Sequence, residues 1–166
     1  MTYVSKTQQL QIRISAEDKA RIGARAARAG MDVSKWVLQE VLPPVEQKFQ
    51  MLCRELATRP NARSFTIAEF QDWFIRLTAS EYKRAVGHAP EARLAPFEAS
   101  YLAAMVEQAA AIQGVNPPRW TGAVRGLDTP WFASPLKSLR LYLLTHSPPP
   151  FRRRNLFIDS SVGQRV

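Results

Sequence analysis

The sequence predicts a mainly α-helical protein: one strand and two short helices in residues 1–44, then a helical region over 45–166. Three observations carry this. Residues 9–14 alternate between polar and apolar. Helix-start signals followed by apolar residues at three- and four-residue spacing recur through the rest of the chain. Pro43-Pro44 separates the two parts.

In Gln9-Leu10-Gln11-Ile12-Arg13-Ile14, the apolar residues Leu10, Ile12 and Ile14 share one face of a strand, and Gln9, Gln11 and Arg13 share the other. A strand must pair, and no second strand candidate follows nearby. The simplest partner is the same strand of a second copy. A two-fold ribbon would bury the leucine and isoleucines and display Gln, Gln and Arg twice. Those are the side chains that make bidentate bonds to adenine and guanine edges in a major groove.

Ser15-Ala16-Glu17-Asp18 is a helix start with Ser15 as N-cap. The predicted helix runs to about Ala29, with Gly30 as a left-handed stop. Ala20, Gly23, Ala24 and Ala27 form a stripe of small residues, Ile22 and Ala26 extend the apolar face, and Arg21, Arg25 and Arg28 lie opposite. A second N-cap falls at Ser34, with Asp32 as the other candidate. The helix Lys35–Leu42 is apolar almost all round through Trp36, Val37, Leu38, Val41 and Leu42, so it needs covering on several sides, as at a dimer core.

Leu10-x-Ile12-x-Ile14-Ser15-x-Glu17-Asp18, followed by Ala26-Ala27-x-Ala29-Gly30-x-Asp32-Val33-Ser34-Lys35-Trp36-Val37, resembles the ribbon-helix-helix (Arc/MetJ-type) DNA-binding fold, especially the antitoxin repressors of toxin–antitoxin pairs. The resemblance is confined to the N-terminal quarter. It implies that Gln9, Gln11 and Arg13 read bases and that Ser34 and Lys35, at the start of the second helix, grip a phosphate. A helix start has unpaired N–H groups and a partial positive charge.

The net charge of +9 suits a polyanionic partner. It is divided as +3 in residues 1–42 and +6 in the remaining 124, so it does not locate the interface. The one cysteine, Cys53, excludes an internal disulfide and a cysteine-based zinc site and reads as a small buried hydrophobe. The polar N-terminus is unlike a signal peptide, and no run of about eighteen apolar residues occurs. A cytoplasmic protein without a membrane partner is expected.

Beyond Pro43-Pro44, helices are predicted over Val45–Ala57, with Phe49, Leu52, Cys53 and Leu56 on one face, and from a capping box at Thr66-Ile67-Ala68-Glu69 through Phe70, Trp73, Phe74 and Leu77. The first of these is alternatively an extended connector. Thr78-Ala79-Ser80-Glu81 opens another short helix. Pro96–Gln113 is the longest, closed by Gly114, and a softer boundary falls near 114. After a Pro-, Gly- and Trp-rich stretch, Ser134-Pro135 begins a helix to about Thr145 whose apolar positions are Leu136, Leu139, Leu143 and Leu144. Ser147-Pro148-Pro149-Pro150 ends it, and Leu156–Ile158 reads as a short strand.

Trp120, Trp131 and Phe132 are candidate anchors, packed on this region or on a partner. Arg152, Arg153 and Arg154 are candidates for binding phosphates or a partner, or equally for bonding helix carbonyls and acidic groups. Trp131-Phe132, Ser147-Pro148 and Arg153-Arg154-Asn155-Leu156-Phe157-Ile158 resemble accessory segments encoded beside nucleotidyltransferase-type toxins.

Enzymatic motifs are missing. His88 and His146 are not in a ligand spacing, and no Gly-rich phosphate loop or Gly-x-Ser-x-Gly elbow is present. Glu69 and Asp72 read as a surface pair. No catalytic residue, metal or cofactor is expected. The function expected is a homodimeric, DNA-binding repressor that acts as an antitoxin. Its N-terminal dimer would sit on operator DNA and its C-terminal region would bind a toxin, nucleotidyltransferase-like on the second resemblance. The alternative is a transcriptional regulator whose C-terminal region binds a ligand or oligomerises.

Overall fold

The computed structural model describes residues 11–41 and 44–159. The chain divides into two compact units, 1–43 and 44–166.

The first unit is a helix pair. Helix α1 spans Ala16–Arg28, and its N-cap Ser15 accepts the Asp18 N–H at 3.0 Å. Gly30, at φ 66°, ends it: its N–H bonds the Ala27 carbonyl and the Met31 N–H bonds that of Ala26, the double bond of a left-handed stop. Helix α2 spans Val33–Val41 and begins earlier than the sequence suggests. Asp32, not Ser34, is its cap, with Oδ1 accepting the Lys35 N–H at 3.0 Å. An Asp carboxylate reaches the third amide of the helix from just outside it, which leaves Ser34 inside the first turn.

The second unit is mainly helical with a small parallel sheet. Helix α3 (Val45–Thr58) buries Phe49, Leu52, Cys53 and Leu56, so it packs and is not an extended connector. A 3₁₀ turn over Pro60–Ala62 leads into α4 (Arg63–Arg76). Thr66 lies inside α4, buried, with Oγ1 donating to the Ala62 carbonyl at 3.3 Å, so it is not the cap that the sequence suggests. Proline at the first position of the 3₁₀ turn starts the coil three residues earlier. By contrast, Thr78 and Glu81 form a complete capping box for α5 (Ala79–Ala85).

Helix α6 (Pro96–Ile112) is the axis of this unit. It buries residues on most of its circumference: Tyr101, Leu102, Met105 and Val106, and also Glu98, Ser100 and Glu107. An element surrounded on all sides must pair its buried polar atoms. Ser100 Oγ donates to the Arg125 carbonyl at 2.8 Å, and Arg63 holds Glu98 at 3.1 Å. The Tyr82 hydroxyl donates to the Val106 carbonyl. Gly114, at φ 65°, stops α6 as Gly30 stops α1.

The chain after Gly114 returns to the same core and does not form a separate part. Helix α7 (Arg119–Ala123) packs on α6. Strand β1 (Trp131–Phe132) pairs in parallel with β2 (Leu156–Phe157), Trp131 opposite Leu156 and Phe132 opposite Phe157. Between them lie a 3₁₀ turn (Lys137–Leu139), α8 (Arg140–His146) and α9 (Pro149–Arg152). The sequence suggests a single helix from 135 to 145; the structure opens with the turn instead, and Ser134 Oγ accepts the Leu136 N–H at 3.2 Å.

Two positions fix how the last segment lies. Asn155 takes φ 58°, a left-handed conformation that asparagine tolerates, and its Nδ2 donates to the Leu127 carbonyl at 2.6 Å. Gly126 packs against the backbone of Arg154, where a Cβ would come to 2.8 Å from the Arg154 Cα. Backbone cannot rotate away as a side-chain tip can. Gly126→Ala should therefore destabilise the protein by about 1–3 kcal/mol, read as a lower midpoint in urea unfolding; an unchanged midpoint would mean that this approach is looser than described.

Candidate nucleic-acid interface and partner surface

In the first unit the arrangement is one-sided. Ala26 is the one buried residue among those described there. On α1 the inner face is Ile22, Gly23 and Ala26, while Ala20, Ala24 and Ala27 of the small-residue stripe are exposed. Trp36 and Val37 are half-buried. Ile12, Ile14, Met31, Val33, Leu38 and Val41 are exposed, Ile12 and Val41 by 65% and 69%. Ile14, Ile22 and Trp36 line a hollow of about 330 Å³, rimmed by Asp18, Arg21 and Arg25.

Of the predicted base-reading residues, Gln11 and Arg13 are exposed, and Gln9, like Leu10, lies outside the described residues. Residues 11–15 form no ladder with any other described residue. A strand is defined by its neighbour's amides and carbonyls, and nothing in the described residues supplies them here. Ser34 and Lys35 stand exposed in the first turn of α2. The Asp32 carboxylate already occupies the Lys35 N–H and pairs with its Nζ at 3.8 Å. Leu42, the last apolar position predicted for α2, also falls outside the described residues.

In the second unit, the aromatic candidates turn inward. Trp120 is half-buried, its Nε1 donating to the Val86 carbonyl at 2.8 Å and its ring 6.3 Å from Phe49. Trp131 meets Phe97 edge-on at 5.0 Å, and Phe132 stacks on Phe157 at 4.9 Å. All three serve the fold, because a large ring near an unfilled core gains more by packing there than in water. Trp120 keeps one exposed role: it lines an open cleft of about 480 Å³ whose wall carries Lys83, His88 and Arg119.

The three arginines separate. Arg154 is buried, with both terminal nitrogens on the Glu107 carboxylate at 2.7 and 2.8 Å and further bonds to the carbonyls of Thr121 and Pro150. It is not available to a partner. Arg153 also bonds Glu107 but keeps most of its side chain in solvent. Arg152 is exposed and makes no ion pair among the described residues. The acidic-group reading of this run thus holds for Arg153 and Arg154. Burial works against the Glu107 charge, but the bonds from Arg154, Arg153 and Thr121 outweigh it and hold its pKa below the usual carboxylate range.

The other perturbed groups lie in the core. Burial raises Cys53 and Tyr101, each to about 12, and raises Tyr82 further. Among the described residues no group of three His, Cys, Asp or Glu is placed to hold a metal, and no helix is long and apolar enough to cross a membrane. Glu69 pairs with Lys48 at 3.6 Å.

One surface escapes the sequence reading. Of the leucines expected to face the core in 136–144, only Leu143 is buried; Leu136, Leu139 and Leu144 are exposed, as are Leu141 and Tyr142. The signal was present in the sequence: five leucines in nine residues exceed what one face of a short helix can bury. Compared with protein-family models, curated proteins and solved structures, the chain matches none.

The Glu107 cluster gives a measurable pH dependence. Glu107→Gln strands the buried Arg154 charge and should cost about 3–5 kcal/mol at neutral pH. Because the folded pKa is lowered, the stabilisation is complete above the unfolded carboxylate pKa of about 4.3 and is lost as pH falls through the folded value. Urea midpoints of the two proteins should therefore converge as pH is lowered below about 5; a constant gap would place the stabilisation elsewhere.

Proposed function

We propose that the chain is a DNA-binding repressor of the ribbon-helix-helix type and the antitoxin of a toxin–antitoxin pair. Two copies of residues 1–44 form one dimer on operator DNA, and the region from 45 onward holds the toxin. The observation that carries the DNA-binding half is the incomplete core of the first unit. A helix pair whose described residues bury one alanine and expose Ile12, Ile14, Val33, Leu38 and Val41 cannot offset the entropy of ordering itself. A second copy fills the hollow beside Ile14, Ile22 and Trp36 and pairs residues 9–14 with their own counterpart. Gln9, Gln11 and Arg13 then project from the outer face of the ribbon into a major groove.

Ser34 and Lys35 flank that ribbon at phosphates. The Asp32–Lys35 pair is exposed and worth less than about 1 kcal/mol, so a phosphate can draw the ammonium away. The toxin-holding half is supported by the second unit being mainly helical with its own core, carrying a net positive charge, and exposing leucines in its 136–144 segment. A nucleotidyltransferase-like toxin is the partner implied by the resemblance of the C-terminal segment.

A second reading, a regulator whose helical region binds a small ligand, draws on the cleft at Trp120. Lys83, His88 and Arg119 there would favour an anionic ligand. Trp131 does not line this cleft. Co-purification of the native chain separates the readings: a co-eluting product of the adjacent gene supports the antitoxin, and its absence, with a small anion retained, supports the ligand-binding regulator.

Two variants test the DNA half. Ile12→Lys puts a charge in the shared core and should abolish dimerisation, seen by sedimentation velocity; a dimer of unchanged stability would refute the ribbon. Arg13→Ala removes a bidentate base contact worth about 1–3 kcal/mol per copy, so it should weaken operator binding strongly and random-duplex binding little. Lys35→Ala should weaken both and flatten the salt dependence. Titrations of both duplexes at two salt concentrations decide. Equal losses on both duplexes for Arg13→Ala would make it a phosphate contact or a structural residue.

A further inference from the structure

The segment 136–144 is anchored yet exposed. Leu143 is buried at 4% exposure, and just beyond it Ser147 Oγ accepts the Ile158 N–H at 2.8 Å and lies 2.6 Å from the Leu143 carbonyl, its acceptor. At the other end Ser134 Oγ accepts the Leu136 N–H at 3.2 Å, and the Arg140 guanidinium lies 5.1 Å over the Phe132 ring. Held this way, the segment presents Leu136, Leu139, Leu141 and Leu144 at 58%, 40%, 73% and 42% exposure. Leucines fixed in water at this density mark an interaction surface.

Charge selects the occupant. No Asp or Glu occurs between Asp128 and Asp159. Glu107, from α6, neutralises within the cluster of Arg153 and Arg154, whereas Lys137, Arg140 and Arg152 have no ion pair among the described residues. We propose that Leu136, Leu139, Leu141 and Leu144, interleaved with Lys137 and Arg140, form the docking surface for an acidic amphipathic helix of a partner protein. This rests on the reading of the second unit as the partner-holding part.

Other occupants fit less well. A second copy of the surface would bring Lys137 and Arg140 against their own like charges. Nucleic acid gains nothing from leucines, and the one aromatic ring in the segment, Tyr142, is stacked on His146 at 4.1 Å. A lipid surface takes a long helix with one continuous apolar face; α8 has seven residues, and Leu143 faces the core between Leu141 and Leu144. A helix with apolar residues at three- and four-residue spacing and carboxylates on its flanks meets both features at once.

The test uses the full chain and a labelled synthetic helix with leucines at that spacing and glutamates elsewhere. Fluorescence anisotropy should show binding that weakens with salt, falls at least about tenfold when lysines replace the glutamates, and falls as far in Leu141→Ser/Leu144→Ser. That double variant should keep its thermal midpoint, since both side chains are exposed. Equal binding of the lysine peptide, or undiminished binding by the double variant, would overturn the proposal. So would a lower oligomeric state of the double variant in sedimentation, which would make the surface a self-interface, or loss in that variant of flotation with phosphatidylserine vesicles, which would make it a lipid site. If the double variant still co-purifies with the adjacent gene's product, the surface assignment fails and the antitoxin reading stands. If the unmodified chain holds neither that product nor the peptide, both fail.

Discussion

Glu107 sits in the middle of α6, the helix around which the second unit packs, and it is bonded by two arginines from the far end of the chain. Burying a carboxylate there is costly, and the cost is met only if the partner charges arrive in the correct geometry. Arg154 arrives correctly because Gly126 lets its backbone close in, Asn155 turns the chain in the left-handed region, and β2 pairs with β1. One ion cluster therefore couples α6, the loop after α7 and the C-terminal segment. It explains why residues after Gly114 belong to the same body.

The aromatic residues follow from the same closure. Once β2 lies beside β1, Phe132 meets Phe157 and Trp131 reaches Phe97 and Tyr101. Phe151 meets Tyr101 edge-on at 5.3 Å. Rings that look like partner anchors when read singly complete a core here. Among the described residues, the leucines of 136–144 and the cleft beside Trp120 stay at the surface after this closure.

The two units differ in kind. The second contains an aromatic core in which the buried Glu107, Ser100 and Tyr82 side chains have hydrogen-bond partners. The first, among its described residues, has the apolar side chains of a core with little surface enclosing them. Its composition makes sense if the missing walls come from another copy, and that physical shortfall, more than its positive charge, is what directs the proposed function toward a dimer. The +9 charge is spread too evenly to choose a site.

Several local signals were legible in the sequence because the decisive interaction spans a few residues, though the helix start at Thr66 was not. Ser15, Thr78, Gly30 and Gly114 mark helix ends because caps and left-handed stops act within four residues. The apolar spacing of α3 and α6 marks buried faces for the same reason. The sequence favours Ser34 over Asp32 as the second cap and the structure reverses this, since either side chain can reach an amide and only the final backbone path chooses. The fates of Trp120, Trp131 and Arg154 were not legible. Whether a tryptophan packs inward or an arginine is buried depends on which residues far along the chain meet it, here Val86, Phe97 and Glu107. The exposure of Leu136, Leu139 and Leu144 was likewise decided by tertiary structure: a short helix anchored through Leu143 has only one inward face, and the sequence supplied more leucines than that face can cover.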